Sequence, residues 1–287
     1  MRPLLSAWLY HHGVPGWLAP TYFSLVVLCA LIGSAVSLYL ARHDGVDLRY
    51  EARSLAVVYL GSLLGGYALE VLRALPEAIL TWSLAPCLQA GRAAYGGMLF
   101  AIGLVLCYRL ANRLPIAAFF DRAMIGTAVA FLGVRTGCFL SGCDYGIPTA
   151  TLLGVRFPRW SLAAVDHAEH GYVPLGAASL PVHPTQLYEA TMALGAALIA
   201  VQFLRGGRRD GTAFLCWLLL YSFGRFLNEF LRGDESRGLY LGLSSAQYIS
   251  LVLCGVVTWI LAQRALAQRG SGASWALQLP HEPSPAE

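Results

Sequence analysis

Two arginines, Arg135 and Arg225, each stand where a strongly apolar run meets a glycine- and tyrosine-rich segment. A guanidinium placed in hydrocarbon costs about 2.5 to 3.5 kcal/mol on insertion scales, so one that persists there serves an anion or a paired carboxylate. Around Arg225 the spacing is helical. Tyr221, Arg225 and Glu229 follow one another at intervals of four, and Arg232 comes three later, which stacks a polar stripe on one helix face. Two readings of the stripe are open: a ligand-facing row, or an Arg225–Glu229 ion pair that locks helices together.

Around Arg135 the string Gly133-Val-Arg-Thr-Gly-Cys-Phe-Leu-Ser-Gly-Cys-Asp-Tyr-Gly146 offers a planar fork suited to two phosphate oxygens. Its glycines at 137, 142 and 146 allow close backbone approach and are expected to present free N–H groups, the makings of an anion cradle. Glycine turns of purely conformational origin give the same pattern. A third constellation, His183-Pro-Thr-Gln-Leu-Tyr-Glu189, opens an apolar run. Pro184 suits a helix start, and Gln186 and Glu189 in the first turn can meet orphan N–H groups or a partner arginine.

The elements that must hold these residues are membrane helices. Of 287 residues 57% are hydrophobic and 13% charged, and mean hydropathy is +0.57, more apolar surface than one water-soluble core of this length hides. Stretches approaching the roughly 20 apolar residues that cross a bilayer run over Tyr22–Leu40, Ser54–Leu72, Tyr95–Leu110, Ile116–Val134, Leu187–Leu204, Thr212–Leu231 and Ala246–Leu266. The expected fold is an all-α polytopic membrane protein of about seven spans, a single membrane domain over 1–269 with a disordered cytoplasmic tail over 270–287.

Arginine in short loops is retained on the cytoplasmic side. Arg42, Arg49 and Arg53 mark one such loop, Arg109 and Arg113 a second, and Arg205, Arg208 and Arg209 a third. The N-terminus, the Arg73–Ala94 connection, the long connection over 135–186 and the Arg232–Ser245 connection then face outward. The opening Arg2–Pro20 lacks the continuous apolar core of a cleavable signal, and its Trp8, His11, His12 and Trp17 suit the headgroup layer.

All 20 basic residues are arginine, which alone carries no argument for nucleic acid, and a net charge of +4 arranged by topology excludes a nucleic-acid patch. Cys138 and Cys143 admit a disulfide, thiol exchange or simple packing. A metal there needs more ligands than two cysteines, and His167 and His170 are spaced irregularly from them, so neither a metal nor any other cofactor is expected.

The His183–Glu189 string resembles the His-Pro-Ser-Gln-Leu-Tyr-Glu segment of prolipoprotein diacylglyceryl transferases. Tyr221–Arg232, reading YSFGRFLNEFLR, is similar to that family's Tyr-x-x-x-Arg-x-x-x-Glu-x-x-Arg stretch. The resemblance implies transfer of the diacylglyceryl group of phosphatidylglycerol to a cysteine thiol of a lipobox-containing lipoprotein precursor, on the outer side of a bacterial cytoplasmic membrane. It implies catalytic roles for Arg135, Arg225 and Tyr95. It further implies a substrate-binding surface of Tyr22, Gly96, Gly97, Cys138, Gly142, Cys143, Gly146, His183, Gln186, Tyr221, Glu229 and Arg232. Three positions depart from the family. Tyr95-Gly96-Gly97 replaces a His-Gly-Gly, which puts Tyr95 where the family has its proposed base; Cys138 replaces the signature asparagine; Cys143 replaces an acid. With an ordinary pKa of about 10, Tyr95 positions substrate more readily than it accepts a proton. Two other classes remain open: a non-catalytic anionic-lipid-binding membrane protein, and a thiol–disulfide oxidoreductase built on Cys138 and Cys143.

Overall fold

The computed structural model describes residues 22–85, 94–207, 210–233 and 239–275. Helices dominate it. In chain order they are α1 (Tyr22–His43), α2 (Leu48–Thr81), α3 (Ala94–Ala111), α4 (Ile116–Ser141), α5 (Leu162–Glu169), α6 (Thr185–Ala200), α7 (Thr212–Asn228) and α8 (Ser245–Trp275). Strand β1 (Val155–Arg156) pairs antiparallel with β2 (Pro181–Val182), and β3 (Leu239–Tyr240) with β4 (Leu243–Ser244).

Among the described residues six helices are long and apolar enough to cross a membrane, and the apolar Gly96–Ala111 is a shorter seventh. Their outer surfaces are what a bilayer requires. Leu31, Leu63, Leu99, Leu198 and Val252 all stand exposed, side chains that only lipid covers at no cost.

Several boundaries differ from expectation, each for a local reason. Helix α2 starts at Leu48 because the Asp47 side chain accepts from Arg49 N–H, and it runs past Pro76 to Trp82, whose left-handed backbone ends it. A proline within a helix removes one backbone bond without ending it. Much of the expected Arg73–Ala94 connection is therefore helix. Helix α4 continues to Ser141, so Arg135 lies inside a helix rather than at the start of a loop, and α8 continues to Trp275, into the expected tail. Residues 276–287 and the N-terminal residues 1–21, with the expected interfacial His11 and His12, lie outside the described residues.

The chain divides into two compact units, one of Met1–Phe23, Val134–Ala200 and Phe214–Glu287, the other of Ser24–Gly133 and Val201–Ala213. The second unit is tied by a buried ionic knot. Glu51 accepts from Arg122 through Nε (2.7 Å) and Nη2 (3.1 Å), and from Arg109 at 3.4 Å. Arg122 also reaches Asp44 at 3.3 Å, and Arg109 donates to Ser54 and to the carbonyl of Pro115, both at 2.8 Å. The end of α1, the start of α2, the end of α3 and the start of α4 meet there, which fixes an up-and-down order. Arg109 is thus buried and paired, not the loop charge that the topology argument used. Elsewhere in this unit α2 and α3 touch backbone to backbone, since a Cβ on Gly65 would lie 2.3 Å from the carbonyl of Gly96.

In the first unit the connection between α4 and α6 is a folded head. Tyr145, Phe157, Ala163 and Val182 form its core with Phe139 packed against it. Ser161 caps α5 by accepting from Ala164 N–H at 3.2 Å. His167 is buried, and its Nδ1 accepts from Leu180 N–H at 3.1 Å, which ties α5 to the approach of β2.

Candidate active site

All the charged site residues described here belong to the first unit. Helix α4 supplies Arg135, α6 supplies Glu189 one turn in from its start, and α7 with its terminal turn supplies Tyr221, Arg225, Glu229 and Arg232. They converge on Glu189, which is 2% exposed. Its Oε1 accepts from Arg135 Nη2 at 2.7 Å and from Tyr221 Oη at 2.6 Å, and lies 3.5 Å from Arg225 Nε. Arg225 is also paired through Nη1 with Glu229 Oε2, one of the two readings that the four-residue spacing left open.

A second carboxylate completes the array. Asp144 accepts from Arg135 Nη1 at 2.9 Å on Oδ2 and from Arg232 Nη2 at 2.6 Å on Oδ1. Burial pushes the Asp144 carboxyl up, but Arg232 and Arg135 outweigh it and hold the group below its ordinary value. One donor stays unmatched: Arg135 Nε is buried with no hydrogen-bond partner among the described residues. An orphan guanidinium donor at such a place costs about 1 to 3 kcal/mol until an acceptor arrives.

The backbone around these groups is pinned by a three-stranded set of contacts. Gly146 N–H donates to His183 O at 2.9 Å, Ile147 N–H to Leu231 O at 2.8 Å, and Gly233 N–H to Tyr145 O at 3.0 Å. Thr185 Oγ1 holds the Asp144 carbonyl at 2.6 Å, and Gln186 Nε2 donates to the carbonyl of Cys143. His183 therefore acts through its backbone, and its Nδ1 faces Tyr188 Oη at 3.1 Å. Gly146 is required by crowding: a Cβ would come within 2.6 Å of His183 Cβ and 2.7 Å of Leu231 O.

This corrects the expected glycine cradle. Gly137 lies within α4, Gly142 N–H donates to Cys138 O at 2.8 Å, and Gly146 N–H is used by His183, so these amides are engaged in the fold. The positive charge here is carried by guanidinium groups and not by backbone amides. Gly142 keeps a conformational task, since its φ of +77° turns the chain back so that Cys143 N–H reaches Cys138 O at 3.2 Å.

Cys138 and Cys143 are free thiols, so the disulfide reading is not realised. Cys138 is buried, while Cys143 is partly open and its thiol is held below the ordinary thiol range, chiefly by its hydrogen bond with Cys138. With Asp144 they bring three ligand-type atoms within 4.8 Å of one another.

Gly96 and Gly97 sit in the other unit, packed on α2, where a Cβ on Gly97 would meet the carbonyl of Ser62 at 2.7 Å. Tyr95 is in the first turn of α3 and Tyr22 at the start of α1, but their side chains lie outside the described residues. Two central residues were not named as site residues from sequence, Glu189 and Asp144. Glu189 closes the His183–Glu189 string, and its place in a first helical turn facing a partner arginine was the available signal.

The fold and the site together define a polytopic helical membrane protein in which three arginines and three carboxylates interlock around α4, α6 and α7. The model of the prolipoprotein diacylglyceryl transferase family matches residues 17–263, and the chain belongs to that family. It is 29% identical to the phosphatidylglycerol–prolipoprotein diacylglyceryl transferase of Clostridium tetani over 67% of this chain and 72% of that protein. It is 32% identical to transferase 2 of Clostridium perfringens over 57% of this chain and 58% of that protein. Against the transferase of Rhodospirillum rubrum identity is 26% over 62% of each chain. The last two matches span less than two thirds of the relatives' own length.

Proposed function

We propose that this chain transfers the diacylglyceryl group of phosphatidylglycerol to a cysteine thiol of a lipoprotein precursor, in the bacterial cytoplasmic membrane and from its outer side. The observation that carries the reading is the shared oxygen: Arg135 and Arg225 both address Glu189 Oε1, and Arg135 keeps one buried donor unmatched. A phosphodiester entering from the bilayer supplies the acceptor that Arg135 Nε lacks. Glu189 meanwhile keeps the two guanidiniums aimed at one place.

As the acceptor thiol, its proton passing to solvent, attacks the glyceryl carbon, an S–C bond forms and the C–O bond to phosphate breaks. The electron pair leaves with glycerol phosphate. Charge grows on the phosphate oxygens, and guanidinium groups already fixed by Glu189, Glu229 and Asp144 stabilise it without reorganising. Tyr221, bonded to Glu189, keeps that carboxylate in place. Gln186, Cys138, Gly142, Cys143, Gly146 and His183 lie on the segments bonded to these groups, and family resemblance assigns Tyr22, Gly96 and Gly97 to substrate binding.

The test is a lipobox peptide and phosphatidylglycerol supplied to the purified protein. A thioether-linked diacylglyceryl peptide is expected by mass spectrometry. Its absence under every condition, with phosphatidylglycerol still bound, favours the second reading, a lipid-binding protein without turnover, for which Tyr95 at the family's histidine position is the motivating residue.

A further inference from the structure

The cluster of Cys138, Cys143 and Asp144 has the composition and spacing of an incomplete tetrahedral metal site. Two sulfurs and a carboxylate oxygen lie within 4.8 Å of one another. Bonds of about 2.3 Å to sulfur and 2.0 Å to oxygen place the ligand atoms of a tetrahedral zinc roughly 3.5 to 3.8 Å apart, so the three can close on an ion with side-chain adjustments of about 1 Å. Their backbone is already fixed for this. Gly142 folds Cys143 back over the last turn of α4, Gln186 holds the carbonyl of Cys143, and Thr185 holds that of Asp144. Arg232 and Arg135 orient the two carboxylate oxygens, and a carboxylate has about four acceptor sites, so lone pairs remain. The soft sulfurs select a thiophilic ion over magnesium or calcium.

We propose that Cys138, Cys143 and Asp144 bind one zinc-class divalent ion, and that its open fourth position takes the thiol of the acceptor. The second half of this proposal rests on the transferase reading. Three protein ligands with one open position is the pattern of a zinc site that does chemistry, rather than the closed four-ligand pattern of a structural one. A cysteine thiol entering it releases its proton to solvent and is held as thiolate. Its sulfur then forms the S–C bond with the glyceryl carbon while the C–O bond to phosphate breaks and the phosphate carries off the electron pair. The neutral thioether is a poor ligand and departs. Asp144 links the two halves of the site, since the carboxylate proposed as ligand is the one that Arg135 grips. Such an ion supplies the thiolate without a protein base, which suits a chain with Tyr95 in place of the family's histidine.

The experiment uses the full chain in detergent, stripped of metal under a thiol reductant and titrated with zinc alone against a chromophoric chelator. One zinc per chain is expected, and cobalt(II) should give a thiolate-to-metal charge-transfer band. Cys143→Ser and Asp144→Asn should each weaken zinc by about 10- to 100-fold or more. Circular dichroism shows which variants keep their helices, and Cys138→Ser, at the buried position, is read only if it does. No stoichiometric zinc in the wild-type chain, full retention by Cys143→Ser, or a Cys138–Cys143 disulfide that persists under reductant and excludes zinc each overturns the site. Thioether formation separates the two claims. Stripped protein as active as reloaded protein overturns the role at the fourth position and leaves the transferase reading standing, whereas bound zinc with no product in either form removes both.

Discussion

Arg135 Nη2 and Arg225 Nε address the same atom, Glu189 Oε1, at 2.7 and 3.5 Å, although they come from different helices, α4 and α7. A carboxylate so shared orients both guanidiniums toward one place, and on the proposed reading that is where the lipid phosphate is met. It neutralises part of the guanidinium charge, and its removal leaves Arg135 to Asp144 alone and Arg225 to Glu229 alone in a site of low dielectric. Breaking a buried pair by removing one partner costs about 3 to 5 kcal/mol. Glu189→Gln is therefore expected to lower the thermal unfolding temperature in detergent by tryptophan fluorescence, and added phosphatidylglycerol should recover more of that loss than it adds to the wild-type chain.

Replacing Arg135 by lysine keeps the charge and loses the fork. Arg135 spans Asp144 with Nη1 and Glu189 with Nη2, which an ammonium on one stem does not reproduce. Loss of one such preorganised donor costs about 100- to 1,000-fold in turnover. Arg135→Lys should fall in that range by initial rates of thioether formation while keeping its far-ultraviolet dichroism.

Gly146→Ala tests the frame under the site. The new methyl meets His183 and the Leu231 carbonyl at under 3 Å, and a shift there disturbs the contacts joining residues 145–147, 183 and 231–233. Overpacking of this kind costs about 1 to 3 kcal/mol. Lower thermal stability together with lost transfer is the expected result.

The head carries a pH dependence. Burial holds the His167 imidazole below its ordinary value, against Asp166, which raises it, and with His170, which lowers it. A group whose folded pKa is depressed stabilises the fold fully above its unfolded value, about 6.5, and the contribution is lost as pH falls through the folded value. Protonation of Nδ1 would also remove the acceptor for Leu180 N–H. Denaturant unfolding of the wild-type chain should weaken from pH 7 to pH 5, and His167→Gln should flatten that slope.

Much of this was legible in sequence because it is carried by composition and local spacing. Apolar length gave the spans, and the four-residue interval put Arg225 and Glu229 on one face while leaving open whether they pair. What was hidden depended on long-range partners. Glu189 reads as a helix-start residue until α4 and α7 bring two arginines to it, and Asp144 reads as a loop acid until Arg135 and Arg232 close on its two oxygens. Arg109 was misread because a positive charge near a helix end is the usual topology signal, and only the fold shows it buried against Glu51 and stacked over Phe119. The glycine string misled for a related reason: amides that look free in a loop are engaged once α4 extends to Ser141.

The most direct measurement of the central claim is a double-mutant cycle on phosphatidylglycerol-dependent thioether formation, comparing the wild-type chain with Arg135→Ala, Arg225→Ala and the double variant. If the two guanidiniums serve one phosphate as a unit, each single variant loses about 100-fold or more, and the double variant loses little beyond the worse of the two. A single variant working at the wild-type rate, or losses that multiply as for independent sites, would contradict it.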